Sequence, residues 1–245
     1  MSDGGESEPE ARPSRPTATD LLRRSAYSAM TVLGRFPALV LPAARLLGHG
    51  VVVDRESEAV VEGFPRSGNS LAVAALVTSR EPPPRIAHHL HASAHVLAAV
   101  KAGVPTLVLL RPPREAVVEL VRSKPFLGLD TALRGYERFH RPLVAVREGF
   151  AVATFEEVTA DPGVAARRLN ERFGTSFPPP ASSSGADGGP DEAIEAYWRE
   201  RRGPGLPLVG RSAASDGSRG ATSLELDPTL LERAEELYRL LEPRA

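Results

Sequence analysis

The sequence predicts an α/β fold, a three-layer α/β/α sandwich around a central, mostly parallel sheet. Three observations predict it. Short apolar runs without polar alternation, above all VPTLVLL at Val104 to Leu110, read as strands buried on both faces, as parallel sheets require. Segments with helical spacing follow these runs, so strands and helices alternate along the chain. At Val60 to Ser70, VVEGFPRSGNS, an apolar run passes into a turn of Gly, Pro, Arg, Ser, Gly, Asn and Ser, and an all-apolar helix follows. That strand, turn and helix open a right-handed crossover unit.

The elements follow in order. From Leu21 to Leu47 apolar residues recur at helical spacing, while Arg23, Arg24, Arg35 and Arg45 with Pro37 and Pro42 interrupt any span of membrane length. This segment reads as one or two packed helices rather than a surface-bound membrane helix. The first strand is placed at Ala59 to Glu62 and its helix at Leu71 to Thr78. A short extended piece, Arg85 to His89, leads to a helix near Ala92 to Lys101, which Gly103 ends in a left-handed conformation. After the strand at Val104 to Leu110, Pro112 and Pro113 open a helix running from Arg114 to Arg122, because first-turn amides have no intrahelical acceptor to lose. A helix within Asp130 to Arg147 precedes a strand at Phe150 to Phe155, and Asp161-Pro162 starts a helix to Phe173. Pro178 to Pro190 and Gly203 to Gly220 read as flexible loops before a last helix, Pro228 to Leu241. Residues 1–20 are acidic, proline-rich and without an apolar centre, so they read as a disordered tail lacking an export-signal pattern, and 21–245 as one domain.

Composition narrows the function classes. A formal net charge of -1 in 245 residues supplies no global field toward nucleic acid or anionic lipid, so partners must be recognised at local sites. The absence of cysteine excludes disulfides, a thiol nucleophile and thiolate metal sites, and fits the cytoplasm. Heavy use of Ala, Arg, Gly and Pro has the look of bacterial coding bias.

In an open parallel sheet, ligands bind beyond the carboxyl ends of strands, where helix N-termini offer free amides and a positive dipole end. The turn at residues 63–70 sits at such a place. Gly63 and Gly68 permit backbone conformations closed to other residues, Ser67, Asn69 and Ser70 add hydrogen-bonding groups, and Arg66 adds a fixed charge. The set suits a phosphate or sulfate group. The same residues also serve as an ordinary strand-to-helix turn capped by Ser67 or Asn69. The GK[ST] ending of the nucleoside triphosphate loop is missing.

GFPRSGNSL, Gly63 to Leu71, resembles the 5′-phosphosulfate loop of sulfotransferases that use 3′-phosphoadenosine 5′-phosphosulfate (PAPS), a loop of the YPKSGTTW kind on a P-loop-like α/β fold. The resemblance places Arg66 as the loop's cation and Ser67, Gly68, Asn69 and Ser70 as its phosphate cradle. Leu71 stands where an aromatic residue often forms one wall of the adenosine site. RIAHHL, Arg85 to Leu90, is similar to the segment carrying the family's catalytic base, which implies His89 for that role. TLVLLRPPREAVVEL, Thr106 to Leu120, resembles the strand and helix that bind the 3′-phosphate, which implies Arg111 for that contact. Phe150 to Leu169 resembles the later strand, acidic turn and helix, and Ser218-Arg219-Gly220 the C-terminal loop on the 3′-phosphate, without its Lys. The implied activity is sulfuryl transfer from PAPS, without a metal, to a hydroxyl or amine of a small-molecule, carbohydrate or lipid acceptor.

One departure stands in the donor site. Where the family has a Ser eight residues after the matched Arg111, this chain has Glu119, on the same helical face, where a carboxylate repels a phosphate. Either Arg114 or Arg122 neutralises it, or the donor site is altered or lost. His88, His89, His91 and His95 include metal-like spacings but lack accompanying carboxylates, and His88, His91 and His95 read as rim or helix-surface residues. Glu156 and Glu157 point to opposite faces of an extended chain and read as a solvated turn rather than a paired-carboxylate site. Trp198, in a helical segment with Ile194 and Tyr197, reads as a core or lid contact. Two other classes stay open: a magnesium- and ATP-dependent small-molecule kinase, and a non-catalytic module that keeps the fold without donor affinity.

Overall fold

The computed structural model describes residues 17–180 and 226–243. It begins with α1 (Ala18–Leu33), where Thr17 and Asp20 cap each other's backbone reciprocally, so residues 18–20 start a helix instead of ending a tail. A second helix, α2 (Pro37–Leu47), opens on Pro37, carries Pro42 within it and ends at Gly48 with φ 63°. Both pack as the sequence predicts, α1 through Tyr27 against the core beside the helix Leu129–Val144 and α2 through Val40, Leu41 and Ala44 beside Leu90 and Ala92, but at the edge of the fold. α1 buries none of its residues and α2 only Ala44, because the pair lies on the surface.

Four parallel strands, β1 (Ala59–Gly63), β2 (Ile86–His88), β3 (Thr106–Leu110) and β4 (Ala151–Thr154), form one sheet in the order β2-β1-β3-β4. Register aligns Val61 with His88 on one side and Leu107 on the other, and Leu109 with Ala153. The helices are α3 (Asn69–Val77), α4 (Ser93–Ala102), α5 (Pro113–Ser123), α6 (Leu129–Val144), α7 (Phe155–Ala160), α8 (Val164–Phe173) and α9 (Pro228–Leu241). Both sheet faces are covered. Val61, Leu107, Leu109 and Ala153 face a core shared with α3 and α8, while Val108, Leu110 and Val152 face one shared with α4, α5, α6 and α9. The fold is therefore α/β with helices on both sides of an all-parallel sheet, as the uninterrupted apolar runs predict.

This arrangement creates a crevice at the carboxyl end of the sheet. The chain leaves β1 for α3 on one face and leaves the adjacent β3 for α5 on the other, so the two exits diverge. Eight of the nine residues of α3 are buried, and its alanines let it lie close against the strands. Phe64 drives the chain's exit from β1 into the core beside Tyr136 of α6, ring centroids 5.1 Å apart, and the Tyr136 hydroxyl donates to the Arg111 carbonyl at 2.9 Å. Both exits are thereby moored to α6.

Two boundaries differ from expectation for a local reason. Thr154 and Glu157 make a second reciprocal cap that converts the expected strand end and acidic turn into α7, whose six residues are too few to show a period. α8 begins at Val164 because Asp161 turns the chain first, its carboxylate accepting from the Gly163 amide at 2.8 Å. Trp198, Ser218-Arg219-Gly220, the loop at 203–220 and most of that at 178–190 lie outside the described residues.

Candidate functional site

The turn between β1 and α3 has the shape of an anion cradle. Arg66 adopts φ 76° and Gly68, at the helix cap, φ 90°. A left-handed arginine costs on the order of 1 kcal/mol, strain of the sort that collects at functional sites. Gly63 has no such φ, but any Cβ there would lie 2.7 Å from the Leu109 carbonyl and 2.7 Å from Asn69 Oδ1, so close approach requires the glycine. Three buried side-chain atoms of the turn, Arg66 Nε, Ser67 Oγ and Asn69 Oδ1, have no hydrogen-bond partner among the described residues. Buried polar atoms are rarely left so, and three in four residues mark a place that expects a ligand.

The charges at the crevice are interlocked. Arg66 donates to Glu119 of α5 at 2.5 Å, while Arg122 stands 3.9 Å from the same carboxylate. The partner of Glu119 is therefore the cradle's own cation first, with Arg122 at the margin. Both expected roles change: Glu119 does not stand as a bare repulsive charge, and Arg66 is already engaged. Arg111 donates to the Arg66 carbonyl at 2.9 Å, approaches Glu115 at 3.5 Å and lies 3.9 Å over the Phe155 ring. It braces the strained turn from below, which the sequence reading did not assign to it.

Across the turn lies the segment after β2. His89 Nε2 is 3.1 Å from Ser70 Oγ, and its Nδ1 is 2.8 Å from His88 Nδ1. His91 Nδ1 donates to the Gly63 carbonyl at 2.9 Å and lies 3.2 Å from Asn69 Nδ2. His89 and His91 both take left-handed conformations, φ 63° and 51°. What holds them is Glu62, the last side chain of β1 before the turn, fully buried and accepting from the amides of Leu90 at 2.7 Å and His91 at 3.0 Å. His95 Nδ1 donates to Glu62 as well, at 2.8 Å, and its Nε2 accepts from the Val53 amide. Burial alone would raise the pKa of Glu62; the His95 hydrogen bond, the positive potential of the His95 and His91 rings and the Leu90 amide outweigh it and hold the carboxyl at about 2.

The structure thus joins Arg66, Ser67, Gly68, Asn69, Ser70, His89 and Arg111 at one crevice. His95 serves Glu62, His91 serves Gly63 and His88 and His89 contact each other, and among the described residues no group of three or more His, Cys, Asp or Glu is arranged to hold an ion. His95 is buried in the core side of α4, not on a helix surface. Glu157 is committed to the Thr154 cap and to Arg168, which separates it from Glu156. Sequence reasoning missed Glu62, whose signal was a single acid inside an apolar strand. No helix among the described residues is long and apolar enough to cross a membrane. The sequence matches no protein-family model, and neither the characterised proteins nor the solved structures include a significant match to it.

Proposed function

We propose that the chain is a PAPS-dependent sulfotransferase of P-loop-like fold that transfers a sulfuryl group to a hydroxyl or amine. The observation that carries this reading is the pair of buried donors, Arg66 Nε and Ser67 Oγ, without a partner among the described residues, at a helix N-terminus beside His89. The residues present fit the donor nucleotide: Arg66, Ser67, Gly68, Asn69 and Ser70 would hold its 5′ end, and Arg111 is adjacent for the 3′-phosphate. When bound, PAPS supplies the sulfuryl group, with adenosine 3′,5′-bisphosphate as the leaving group. Arg66 and the first-turn amides stabilise oxyanion charge. With the shared proton on His89 Nδ1 and directed to His88, Nε2 is the basic nitrogen, and it takes the acceptor's proton. Ser70 Oγ donates to that same nitrogen until the acceptor arrives.

One observation favours a second reading. The Arg66–Glu119 pair occupies the cation that the donor needs, as in a non-catalytic module. Calorimetry with adenosine 3′,5′-bisphosphate and no magnesium distinguishes them. Roughly micromolar binding, strengthened about tenfold in Glu119→Ser because one charge pair no longer competes, is the expected result. Heatless titrations in both proteins would leave the non-catalytic module. Binding of ATP only with magnesium would favour the kinase class. Separately, His89→Ala is expected to leave nucleotide affinity within about threefold while turnover falls by about 10²-fold or more, measured with labelled donor.

A further inference from the structure

α1 turns a mostly polar stripe inward around Tyr27, α2 packs through Val40, Leu41 and Ala44, and both leave large apolar side chains outside. α1 docks through polar groups: Arg24 Nε donates to the Phe126 carbonyl at 3.0 Å, and Thr31 Oγ1 accepts from Arg138 at 3.0 Å. Its outward stripe is Leu22, Ala26, Ala29 and Leu33, spaced i, i+4, i+7 and i+11, with Met30 alongside. α2 exposes Leu39, Ala43, Leu46 and Leu47 as well. Exposure reaches 72% at Leu22, 87% at Leu46 and 79% at Leu47. Ten of the eleven exposed large apolar side chains among the described residues lie within residues 21–51, a concentration that marks an interaction site rather than the scattered leucines of an ordinary surface.

The charges beside it select the occupant. Residues 17–51 hold four arginines and one aspartate, in a chain whose formal net charge is -1. Asp20 is spent on the Thr17 cap, while Arg23, Arg35 and Arg45 are exposed beside the stripe. A second copy docking here through two-fold symmetry would bring like charges together. An anionic bilayer surface meets both demands, taking leucines into the acyl boundary and arginines at its headgroups. We propose that α1 and α2 dock the protein on anionic membrane surfaces, lying in the interface without spanning it. α2 leads through Val51, which exchanges two backbone hydrogen bonds of 2.9 Å with His88, so docking sets the His89 crevice close to the lipid.

Co-flotation of the full chain with vesicles tests this. On equimolar phosphatidylcholine and phosphatidylglycerol the protein is expected to float, with binding about a hundredfold weaker on phosphatidylcholine alone, at about fivefold per exposed arginine. Arg23→Gln with Arg35→Gln should weaken binding about 25-fold. Leu22→Ser, Leu46→Ser and Leu47→Ser together should abolish it while circular dichroism stays native, since these side chains are mostly exposed. Should that triple variant misfold, the arginine pair decides alone. Equal flotation on both vesicle types, indifference to the arginine substitutions, or no flotation accompanied by concentration-dependent dimerisation would each overturn the proposal.

Discussion

Glu62→Gln is expected to lose about 3–5 kcal/mol of stability, the cost of breaking a buried charged network by removing one partner. Three donors converge on this carboxylate: the Leu90 and His91 amides and His95 Nδ1. Glutamine offers one acceptor oxygen and turns an NH₂ group toward the remaining donors, so at least one buried N–H goes unpaired. In urea denaturation the midpoint should fall with an unchanged m-value. The loss should be felt first beside the crevice. Leu90 and His91 anchor a backbone that carries two left-handed histidines, and without that grip the local strain favours release. Hydrogen exchange at the Leu90 and His91 amides should therefore accelerate more than at the β3 amides. A midpoint shift worth less than about 1 kcal/mol would show that the carboxylate is not what holds the loop.

The contrast between Glu62 and the cradle shows what a sequence can display. The run from Gly63 to Ser70 is contiguous, so its glycines, arginine and hydroxyls announced a turn, and the apolar blocks around it announced the sheet. Glu119 stands out as an anomaly, but spacing along its own helix points only to Arg114 and Arg122 as partners. The actual partner, Arg66, lies 53 residues away and arrives because β1 and β3 are neighbours, a fact of topology rather than spacing. Glu62 was invisible for the same reason, its donors lying 28 to 33 residues on. Periodicity likewise located helices within Leu21 to Leu47, yet it could not say which stripe faces inward. In α1 the polar one does, because Arg24 and Thr31 find partners near α6. The short capped helix α7 hid behind Glu156 and Glu157 because a cap is a side-chain geometry that composition only hints at.

Acidification from pH 7 to 5 should cost the protein about 2 kcal/mol through a single residue, His140. It is fully buried in α6, with its ring 4.0 Å from that of Tyr136 and 4.9 Å from that of Phe139. Nδ1 donates to the Tyr136 carbonyl at 2.9 Å, while Nε2 has no partner among the described residues. Burial drives its pKa down to about 3, against only a small opposing effect of the Tyr136 hydrogen bond. The folded state thus refuses a proton that the unfolded chain accepts below its ordinary value of 6.5. Stability from this group is complete above pH 6.5 and declines as pH falls toward 3, by up to about 5 kcal/mol. Glu62 adds a second decline with the same sign: its folded pKa of about 2 lies below the usual 4.5, so its contribution, about 3 kcal/mol, fades from pH 4.5 downward. Against a total stability of roughly 5–15 kcal/mol, the two place acid unfolding well above the pH at which Glu62 itself is protonated in the fold. His140→Phe removes the first decline while keeping the aromatic packing, so its urea midpoint should change much less between pH 7 and 5 than that of the parent chain. A parent midpoint that stays constant over that interval would mean that the imidazole is hydrated or already charged within the fold.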